Sequence, residues 1–547
     1  MPSAHLALAT ADADFSAGVD RLLASLGLAD DFSIDSLVEA DVAALALPSL
    51  ITGGSGYADR TDLELVSLDP VGTTDIDQAV FVERQGSGYR VWQAIADAPY
   101  FVWPGGELEA ESFRRGHTIY APGRRRPLYP PVVGEGVGSL LADGKPRLAA
   151  LWQIDLDAAG AVVAARVSRA VVRNREQVDY ETAQAELDAG TASPTLELVA
   201  EVGRLRQAQE AARGGVSLDV PELVAERAEA PVDLREQDAG PSDRHAPETD
   251  SVTASGDMPE SPHHQPSPTD PDTAGGDASR PSHHQPSPTD PDAADGIAGW
   301  RLSFRPLTAI QGWNAQISRL TGVVAARMML DAGVGIVRLA SPARPAEVER
   351  LRRIAARLGI PWPATIGYPD VVRQLRPDEP SHLALRHAAR TLFRSPGYET
   401  FDRGAPIHSV AHAAVGLPYA HVTAPLRRLA DRFGAEICLA ASAGVPPPPW
   451  VTRHLTRLPA VMVAGEARKR QVEAGALDRL IALTLADAVG QTFPATVVAA
   501  KGHRATVLLR EPTVEVTVPA APRLGSEVTV RLAGIDHERG RAIFELA

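Results

Sequence analysis

The sequence predicts an α+β protein in which a mixed sheet with surrounding helices is preceded by a short helical segment and followed by a small β-barrel. Strand patterns recur between residues 63 and 173, helical spacing dominates residues 306–393, and short alternating strands return over residues 493–547. A chain of 547 residues, 44% of them hydrophobic, has enough material for two to four domains with buried cores.

The domain boundaries follow changes in these patterns. Residues 1–58 carry a leucine stripe that predicts one or two short helices. Residues 59–435 form the main domain, residues 436–487 its helical tail, and residues 488–547 a separate barrel. The short predicted strands of this last segment suit a closed barrel of the OB type.

Several elements of the main domain can be predicted individually. A β-hairpin is expected for Ala79–Arg84 and Tyr89–Ala96, because the linker between these strands contains two glycines. Helical spacing covers Glu176–Arg213, a long helix is expected to begin at Trp313, and Pro345–Leu358 is typical of an arginine-rich amphipathic helix.

Residues 229–299 differ from the rest of the chain in composition. They are mostly Pro, Asp, Ser, His and Gly, and the segment 263–272 recurs unchanged at 283–292. Because bulky apolar residues are scarce, we predict a disordered insert that interrupts the main domain, with a histidine metal tract as the alternative. Fifteen acids and three arginines give the insert a net charge of −12, so only −3 of the total of −15 belongs to the other residues. The acidity of the chain therefore does not exclude a nucleic-acid partner.

Cysteine content and hydropathy indicate the compartment. Cys438 is the only cysteine, which excludes an intramolecular disulfide. The sequence has neither a signal-peptide pattern nor a run of roughly 20 apolar residues. We therefore expect a cytoplasmic protein that has no membrane partner and acts as a monomer.

Three aspartates crowd into one turn that follows an apolar run. Asp69 ends a predicted strand, and Asp75 and Asp77 face the same side of an extended backbone because they are two residues apart. Neighbouring carboxylates repel each other unless a cation joins them, and oxygen-only ligands suit Mg²⁺ or Mn²⁺. The alternative for this segment alone is a solvated acidic turn.

Two further segments suit the binding of an anion. Thr423 is a good helix N-cap with Pro425 in the first turn, which would place Arg427 and Arg428 near the positive end of a helix. Residues 116–131 are basic and proline-rich with two tyrosines, a mixture typical of grooves in which rings stack on bases and arginines hold phosphates. An ordinary surface helix and an exposed basic turn are the corresponding alternatives.

The acidic turn resembles a motif of the ribonuclease II (RNB) family of 3′-to-5′ exoribonucleases. In that motif a strand ends in Asp, and Asp-x-Asp-Asp-Ala follows six positions later. Asp69, Asp75 and Asp77 match the motif, whereas Gln78 replaces its last acid.

Two more motifs carry the same resemblance. The family's Arg-Gly-x-Ser-x-Tyr-x-Pro has its counterpart in Arg115–Pro122, and its Tyr-x-His-Phe-Thr-Ser-Pro-Ile-Arg-Arg-Tyr-x-Asp in Tyr419–Asp431. The likeness runs from about residue 63 to residue 431 outside the insert. The C-terminal segment is similar to the S1-type RNA-binding barrel that closes such proteins.

The resemblance implies Mg²⁺- or Mn²⁺-dependent hydrolysis of single-stranded RNA from its 3′ end to nucleoside 5′-monophosphates. It implies that Asp69, Asp75 and Asp77 hold the ion, and that Asp77 and Arg427 are catalytic. It also implies a set of RNA-contacting residues, in which Tyr120 stacks on the terminal base, Arg428 binds the next phosphate, Gln316 contacts the 2′-hydroxyl, and Thr423 and Gln78 complete the set.

The substitution at Gln78 leaves two other functions open. An amide oxygen can bind Mg²⁺ but adds no negative charge, so we expect altered metal affinity and not a complete loss of activity. An RNA-binding pseudo-nuclease with weakened catalysis is the main alternative. An endonuclease or a DNA-directed nuclease is a third.

Overall fold

The structure is a computed structural model of the chain, and it describes residues 6–8, 12–28, 31–53, 56–216, 222–227, 300–305, 307–376, 379–389, 392, 394–402 and 411–547. The insert predicted for residues 229–299 lies outside the described residues. The sheet, the helices and the barrel that the sequence predicts all lie within them.

The N-terminal segment contains strand β1 (Leu6–Leu8) and helices α1 (Ala13–Ser25) and α2 (Ile34–Thr52). The Asp12 carboxylate caps α1 by accepting the Phe15 N–H at 2.7 Å. Buried apolar residues of α1 pack against the C-terminal half of the chain, including Val472 and Leu480. The predicted pair of short helices is confirmed.

A seven-stranded mixed sheet forms the centre of the main domain. Its region comprises β2 (Ala58–Asp59), β3 (Leu65–Leu68), β4 (Gln78–Gln85), β5 (Gly88–Ala96), α3 (Ala98–Phe101), α4 (Glu107–Arg115), β6 (Ile119–Ala121), β7 (Arg124–Arg126), a π-helical turn (Val132–Val137), β8 (Arg147–Leu156), β9 (Val162–Val172) and β10 (Asn174–Val178). The strand order is β10-β3-β4-β5-β8-β9-β2, with parallel pairs only at the two edges. The predicted β4–β5 hairpin is confirmed, and β6 and β7 form a separate small hairpin.

Helices cover the sheet and continue to the barrel. They and the strands between them are α5 (Tyr180–Ala189), α6 (Pro194–Ala212), β11 (Glu222–Arg227), β12 (Trp300–Arg305), α7 (Ala309–Ala332), β13 (Gly335–Ser341), α8 (Pro345–Arg357), α9 (Tyr368–Gln374), α10 (Pro380–Ala389), β14 (Arg394–Phe401), α11 (Leu429–Ala443), α12 (Pro449–His454) and α13 (Leu458–Thr484). Helix α6 contacts β4 and helix α11 contacts β9, so these helices cover the sheet.

The structure adds detail to the predicted helical regions and shifts one helix start. The helical spacing of Glu176–Arg213 corresponds to two helices, because the Asp179 and Ser193 side chains cap separate helices and Gly190, with a φ of 69°, ends the first. Helix α7 begins four residues before Trp313, where Thr308 and Gln311 form a capping box. Strand β13 interrupts the region of helical spacing and pairs with β14.

The C-terminal barrel contains β15 (Thr492–Lys501), β16 (Arg504–Leu509), β17 (Glu515–Val518), β18 (Glu527–Asp536) and β19 (Arg541–Leu546). These strands form one antiparallel sheet in the order β17-β16-β15-β18-β19. Phe493 and Phe544 pack edge to face in the barrel core with ring centroids 6.1 Å apart. The predicted barrel of five strands is confirmed.

Within the part of the chain that the structure describes, no helix is both long enough and apolar enough to cross a membrane.

Candidate active site

The acidic loop, residues 69–77, connects β3 to β4 at one end of the central sheet. The Ile76 N–H donates to the Ser139 hydroxyl at 2.8 Å, and this hydroxyl donates to the Thr74 carbonyl at 2.8 Å. The Leu140 N–H donates to the Ile76 carbonyl at 2.9 Å, and the Ile76 side chain is fully buried. Because the loop is fastened on both sides of Ile76, the neighbouring aspartates are held in place.

Asp77 connects the acidic loop to the arginine turn, residues 424–428, which precedes helix α11 and carries Arg427 and Arg428. Its carboxylate is only 3% exposed. Asp77 Oδ1 accepts the Leu426 N–H at 2.7 Å, and Asp77 Oδ2 lies 3.1 Å from Arg427 Nε. The two segments that the sequence marks as informative are therefore in direct contact, although 349 residues separate Asp77 from Leu426.

The predicted capping role of Thr423 is wrong. Helix α11 begins at Leu429 with Arg428 as its N-cap, and Thr423 is buried. The Ala424 N–H donates to Asp431 at 2.8 Å while the Leu426 N–H serves Asp77, so the N–H groups of this turn point at two carboxylates and not along a helix axis. Arg427 and Arg428 accordingly lie in a tight turn before the helix.

The two arginines of this turn have different surroundings. The Arg427 side chain is 44% exposed, and only Asp77 among the described carboxylates pairs with it. Arg428 is mostly buried and makes a bidentate ion pair with Asp431, with distances of 3.0 Å from Nε to Oδ1 and 2.7 Å from Nη2 to Oδ2. Because Arg428 is held inside, the contact with the next phosphate that the resemblance implies for it stays a prediction.

Tyr120 lies above the acidic loop. The Thr118 N–H donates to the Arg427 carbonyl at 3.0 Å, which fastens the start of β6 to the arginine turn. Tyr120 remains 38% exposed, and its hydroxyl donates to Asp75 Oδ2. An exposed ring next to the acidic loop fits the predicted stacking role.

Arg125 and Glu135 are site residues that the sequence reasoning missed. Arg125 pairs with Tyr120 in the β6–β7 hairpin, and its Nη1 lies 3.3 Å from Asp75 Oδ1. Its Nη2 pairs with Glu135 of the π-helical turn. The run of three arginines at residues 124–126 was the available signal, but it does not indicate which of them faces the aspartates.

Gln78 does not face the acidic cluster. It is the first residue of β4, and its Oε1 accepts two hydrogen bonds of 2.7 Å, one from Gln93 Nε2 and one from the Ser318 hydroxyl. Alternate residues of a strand point to opposite faces, so Gln78 points away from the side on which Asp77 meets Arg427. The amide therefore links the sheet to helix α7.

Gln316 is also engaged within the protein. It is 2% exposed, and its Nε2 donates to Glu210 at 2.9 Å, which does not present it to an RNA strand. Two residues earlier on α7, Asn314 Nδ2 lies 3.4 Å from the Leu68 carbonyl, next to Asp69. A separation of two residues turns a helix by about 200°, which explains why Asn314 and not Gln316 reaches the acidic loop.

Burial changes the acidity of the loop. It raises the pKa of Asp69 and of Asp77 to about 7 in each case, and Arg427 counteracts the rise at both carboxyls. The nearby Asp75 carboxylate contributes to the rise at both carboxyls. Burial and Asp75 also raise the pKa of the Tyr120 hydroxyl, which keeps it a hydrogen-bond donor at neutral pH.

The donor set fits a hard divalent cation in its chemistry. All the candidate ligands are carboxylate oxygens, and Asp69 Oδ2 is buried with no hydrogen-bond partner. Among the described residues, however, no three His, Cys, Asp or Glu side chains converge into a ready-made metal cage. Tyr120, Arg125 and Arg427 bind the oxygens of Asp75 and Asp77, so an ion would have to displace some of these donors.

Two surface clefts lie elsewhere, on the outer face of the sheet. Their volumes are about 400 and 270 Å³, and both are lined by Gln153 and Arg166. Arg166 donates to Gln153 Oε1, and Arg90 pairs with Asp155 at 2.6 Å, so their polar groups are largely satisfied within the sheet. The acidic loop, whose Asp77 contacts Arg427, is therefore the stronger candidate for the active site.

Comparisons with known proteins identify two domains in the chain. The model of the RNB domain matches residues 57–248, and that of the RNase II-type exonuclease C-terminal S1 domain matches residues 491–547. Ribonuclease R of Acidithiobacillus ferrooxidans is 32% identical over 127 residues, which cover 23% of this chain and 29% of the relative. The chain thus matches less than a third of that relative's length.

Solved structures share the fold. The structure of Mycoplasma genitalium RNase R in complex with ribose-methylated single-stranded RNA has a TM-score of 0.74 at 16% identity, covering 98% of this chain and 78% of that one. Yeast Ssd1, a pseudonuclease, has a TM-score of 0.60 at 14% identity, covering 92% of this chain and 55% of that one. The chain thus contains an RNB domain and, at its C-terminus, an RNase II-type exonuclease S1 domain.

Proposed function

We propose that this protein is a hydrolytic 3′-to-5′ exoribonuclease that degrades single-stranded RNA to nucleoside 5′-monophosphates with Mg²⁺ or Mn²⁺. The observation that carries the proposal is the contact of Asp77 with Arg427 at 3.1 Å. In this arrangement the buried carboxylate of Asp77 can bind a cation, and the half-exposed guanidinium of Arg427 can bind the oxygens of the phosphodiester.

The arginine turn supplies the electrostatic part of the mechanism. The Arg427 side chain is 44% exposed and pairs with Asp77 through Nε, so its remaining N–H groups can bind non-bridging phosphate oxygens. These hydrogen bonds strengthen as negative charge develops on the phosphate, which lowers the barrier to hydrolysis. Arg428 acts as a positioning residue, because its ion pair with Asp431 fixes the turn that presents Arg427.

The acidic loop supplies the metal ligands. Asp69, Asp75 and Asp77 would hold the ion, which when bound activates water and neutralises charge at the scissile phosphate. The raised pKa values of Asp69 and Asp77 mean that both carboxyls must lose a proton near neutral pH before they can bind it. Asp77 also keeps Arg427 next to the loop.

The exposed ring of Tyr120 would stack on the 3′-terminal base. Stacking is tolerant of sequence, as a degradative enzyme requires. The hydrogen bond from the Tyr120 hydroxyl to Asp75 would keep this ring near the ligands, so that the terminal nucleotide lies beside the acidic loop. The match to the RNB domain and the similarity to ribonuclease R support the exoribonuclease activity, and the stacking role of Tyr120 is part of the proposal.

A catalytically weakened RNA-binding pseudo-nuclease is the second candidate. Gln78 replaces an acid of the family motif, and its oxygen is occupied by Gln93 and Ser318. Structural similarity to a protein described as a pseudonuclease is compatible with this candidate. The contact of Asp77 with Arg427, with Asp69 and Asp75 retained in the same loop, favours the active enzyme.

A time course on 5′-labelled RNA and a matched DNA, with Mg²⁺, Mn²⁺ or chelator, tests the proposal. A ladder of successively shorter RNA products that requires the metal is the expected result. Untouched RNA that is still bound would favour the pseudo-nuclease, and internal fragments or equal loss of DNA would indicate an endonuclease or a DNA-directed enzyme. The proposal includes action as a cytoplasmic monomer, which gel filtration and cell fractionation test.

A further inference from the structure

Arg125 forms a bridge between two carboxylates at the edge of the acidic loop. Its Nη1 lies 3.3 Å from Asp75 Oδ1, and its Nη2 pairs with Glu135. The Thr74 hydroxyl donates to Glu135 Oε2 at 3.3 Å and accepts a hydrogen bond from Arg125 Nη1 at 3.4 Å. The guanidinium is thus held between an aspartate of the loop and a glutamate of the π-helical turn.

Both oxygens of Asp75 are therefore occupied. Tyr120 donates its hydroxyl to Oδ2, and Arg125 donates to Oδ1. The Tyr120 hydroxyl is neutral, whereas Arg125 brings a full positive charge that opposes the approach of any second cation. Arg125 is the donor that a metal ion has to displace.

We propose that Arg125 competes with the divalent cation for Asp75, and that Glu135 is the positioning residue that holds Arg125 in reach. This inference rests on the proposed function only in taking Asp75 as a metal ligand. When the ion is bound, Arg125 keeps its partner Glu135 and gives up Asp75. Metal affinity then depends on Glu135, which contacts neither the ion nor the scissile phosphate but holds Arg125 near Asp75.

The exposure of the bridge sets the size of the effect. The side chains of Arg125 and Glu135 are 30% and 22% exposed, so water and salt screen the charge of the guanidinium. Partly exposed ion pairs of this kind change an equilibrium by roughly two- to fivefold. The advantage gained by removing Arg125 should shrink as the salt concentration rises.

Titration of the RNA-free, full-length protein with Mn²⁺ by calorimetry tests the competition. Arg125→Gln should bind Mn²⁺ roughly two- to fivefold more tightly than the wild type at low salt. Arg124→Gln is the matched control, because Arg124 lies on the same hairpin but pairs with Asp20 at 2.7 Å, and its Mn²⁺ affinity should equal that of the wild type. Arg125→Lys keeps the charge without the fork that spans two carboxylates, and should bind with intermediate affinity.

Equal or weaker Mn²⁺ binding by Arg125→Gln overturns the inference, and so does a failure of both proteins to bind Mn²⁺ at all. A tightening that is independent of salt also overturns it, because the cause would then be structural. If Arg125→Gln does not fold, as judged by circular dichroism, Arg125→Lys decides by the same comparison. Metal titration and RNA cleavage are separate measurements. If Arg125→Gln binds Mn²⁺ with wild-type affinity while RNA is still cut to a ladder, only this inference is refuted. If Arg125→Gln binds Mn²⁺ more tightly but no RNA is cleaved, only the proposed function is refuted.

Discussion

Replacing Asp77 by asparagine removes the carboxylate charge from the site and keeps the shape of the side chain. The side chains are nearly equal in size, and an asparagine oxygen can still accept the Leu426 N–H that Asp77 accepts at 2.7 Å. The amide nitrogen would then face Arg427, so that two donors meet where an ion pair of 3.1 Å exists now. The substitution removes a carboxylate charge from the loop and the partner from Arg427.

The expected loss of turnover is large. Misplacing one preorganised donor at a developing charge typically costs about 2.7–4 kcal/mol, or roughly 10²–10³ in kcat, and the loss of a metal ligand adds to this. RNA affinity should change by less than about threefold, because the variant leaves Arg427 in place and removes a negative charge that repels phosphate.

The fold should survive this change. Burial raises the pKa of Asp77 to about 7, so the folded state binds a proton more tightly than the unfolded chain. For a carboxyl with a raised pKa, folding stability is greatest at low pH and falls as pH rises from about 4 to 7, by at most about 4 kcal/mol. At pH 8 the asparagine variant should therefore unfold no more easily than the metal-free wild type.

The assay combines three readouts on one preparation. Turnover is followed on a 5′-labelled oligoribonucleotide, affinity by filter binding in chelator, and stability by urea denaturation. Asp62→Asn is the control, since Asp62 is an exposed aspartate that pairs with Arg60 at 3.0 Å outside the site, and it should leave all three unchanged. Near-normal turnover by Asp77→Asn would refute the assignment of the acidic loop.

The other predictions concern the guanidinium of Arg427, the amide of Gln78 and the half-buried His412. Arg427→Lys should lower kcat by roughly 10²-fold with a smaller change in KM, as measured by steady-state kinetics, because a lysine lacks the planar fork. Gln78→Asp should lower the free energy of unfolding by about 1–3 kcal/mol in urea and leave turnover within about threefold, since the shorter side chain cannot serve both Gln93 and Ser318. A tenfold gain in turnover would show instead that position 78 belongs to the metal site. Burial lowers the pKa of His412 to about 4, so the folded state stays neutral where the unfolded chain, with a pKa near 6.5, binds a proton. The contribution of His412 to stability should be complete above about pH 6.5 and fall by up to roughly 3 kcal/mol toward pH 4. Urea midpoints measured over this range should change accordingly less with pH in His412→Gln than in the wild type, and an identical pH dependence in both proteins would contradict the prediction.

The parts of the fold that rest on local signals were predictable from the sequence. The β4–β5 hairpin and the five strands of the barrel follow from alternating side chains and glycine turns, and the structure has them. The helical spacing of Glu176–Arg213 did not show that the segment divides into two helices, again for a local reason. Asp179 and Ser193 are strong N-caps that divide the segment, and a periodicity count does not weigh caps.

The predicted site contained the right segments but not all of their contacts. Nothing local distinguishes Arg427 from Arg428, yet one is half-exposed beside Asp77 and the other is sequestered by Asp431. The difference arises because the turn before α11 directs its N–H groups at two carboxylates, one of them from a distant strand connection. A sequence shows which charges are present, but their pairing depends on tertiary contacts.

The contacts of Gln78 explain a departure from the family motif. In the sequence alone, Gln78 is an uncharged residue in place of the last acid of the motif, next to the predicted metal ligands. In the structure its amide accepts hydrogen bonds from β5 and α7, a task for which an uncharged oxygen is well suited, because a buried carboxylate there would lack a cation. Glu135 adds a carboxylate near the loop, but Arg125 neutralises this charge and links it to Asp75. Metal affinity should respond to residues 125 and 135 more strongly than to residue 78, because Arg125 contacts Asp75 whereas the Gln78 amide contacts Gln93 and Ser318.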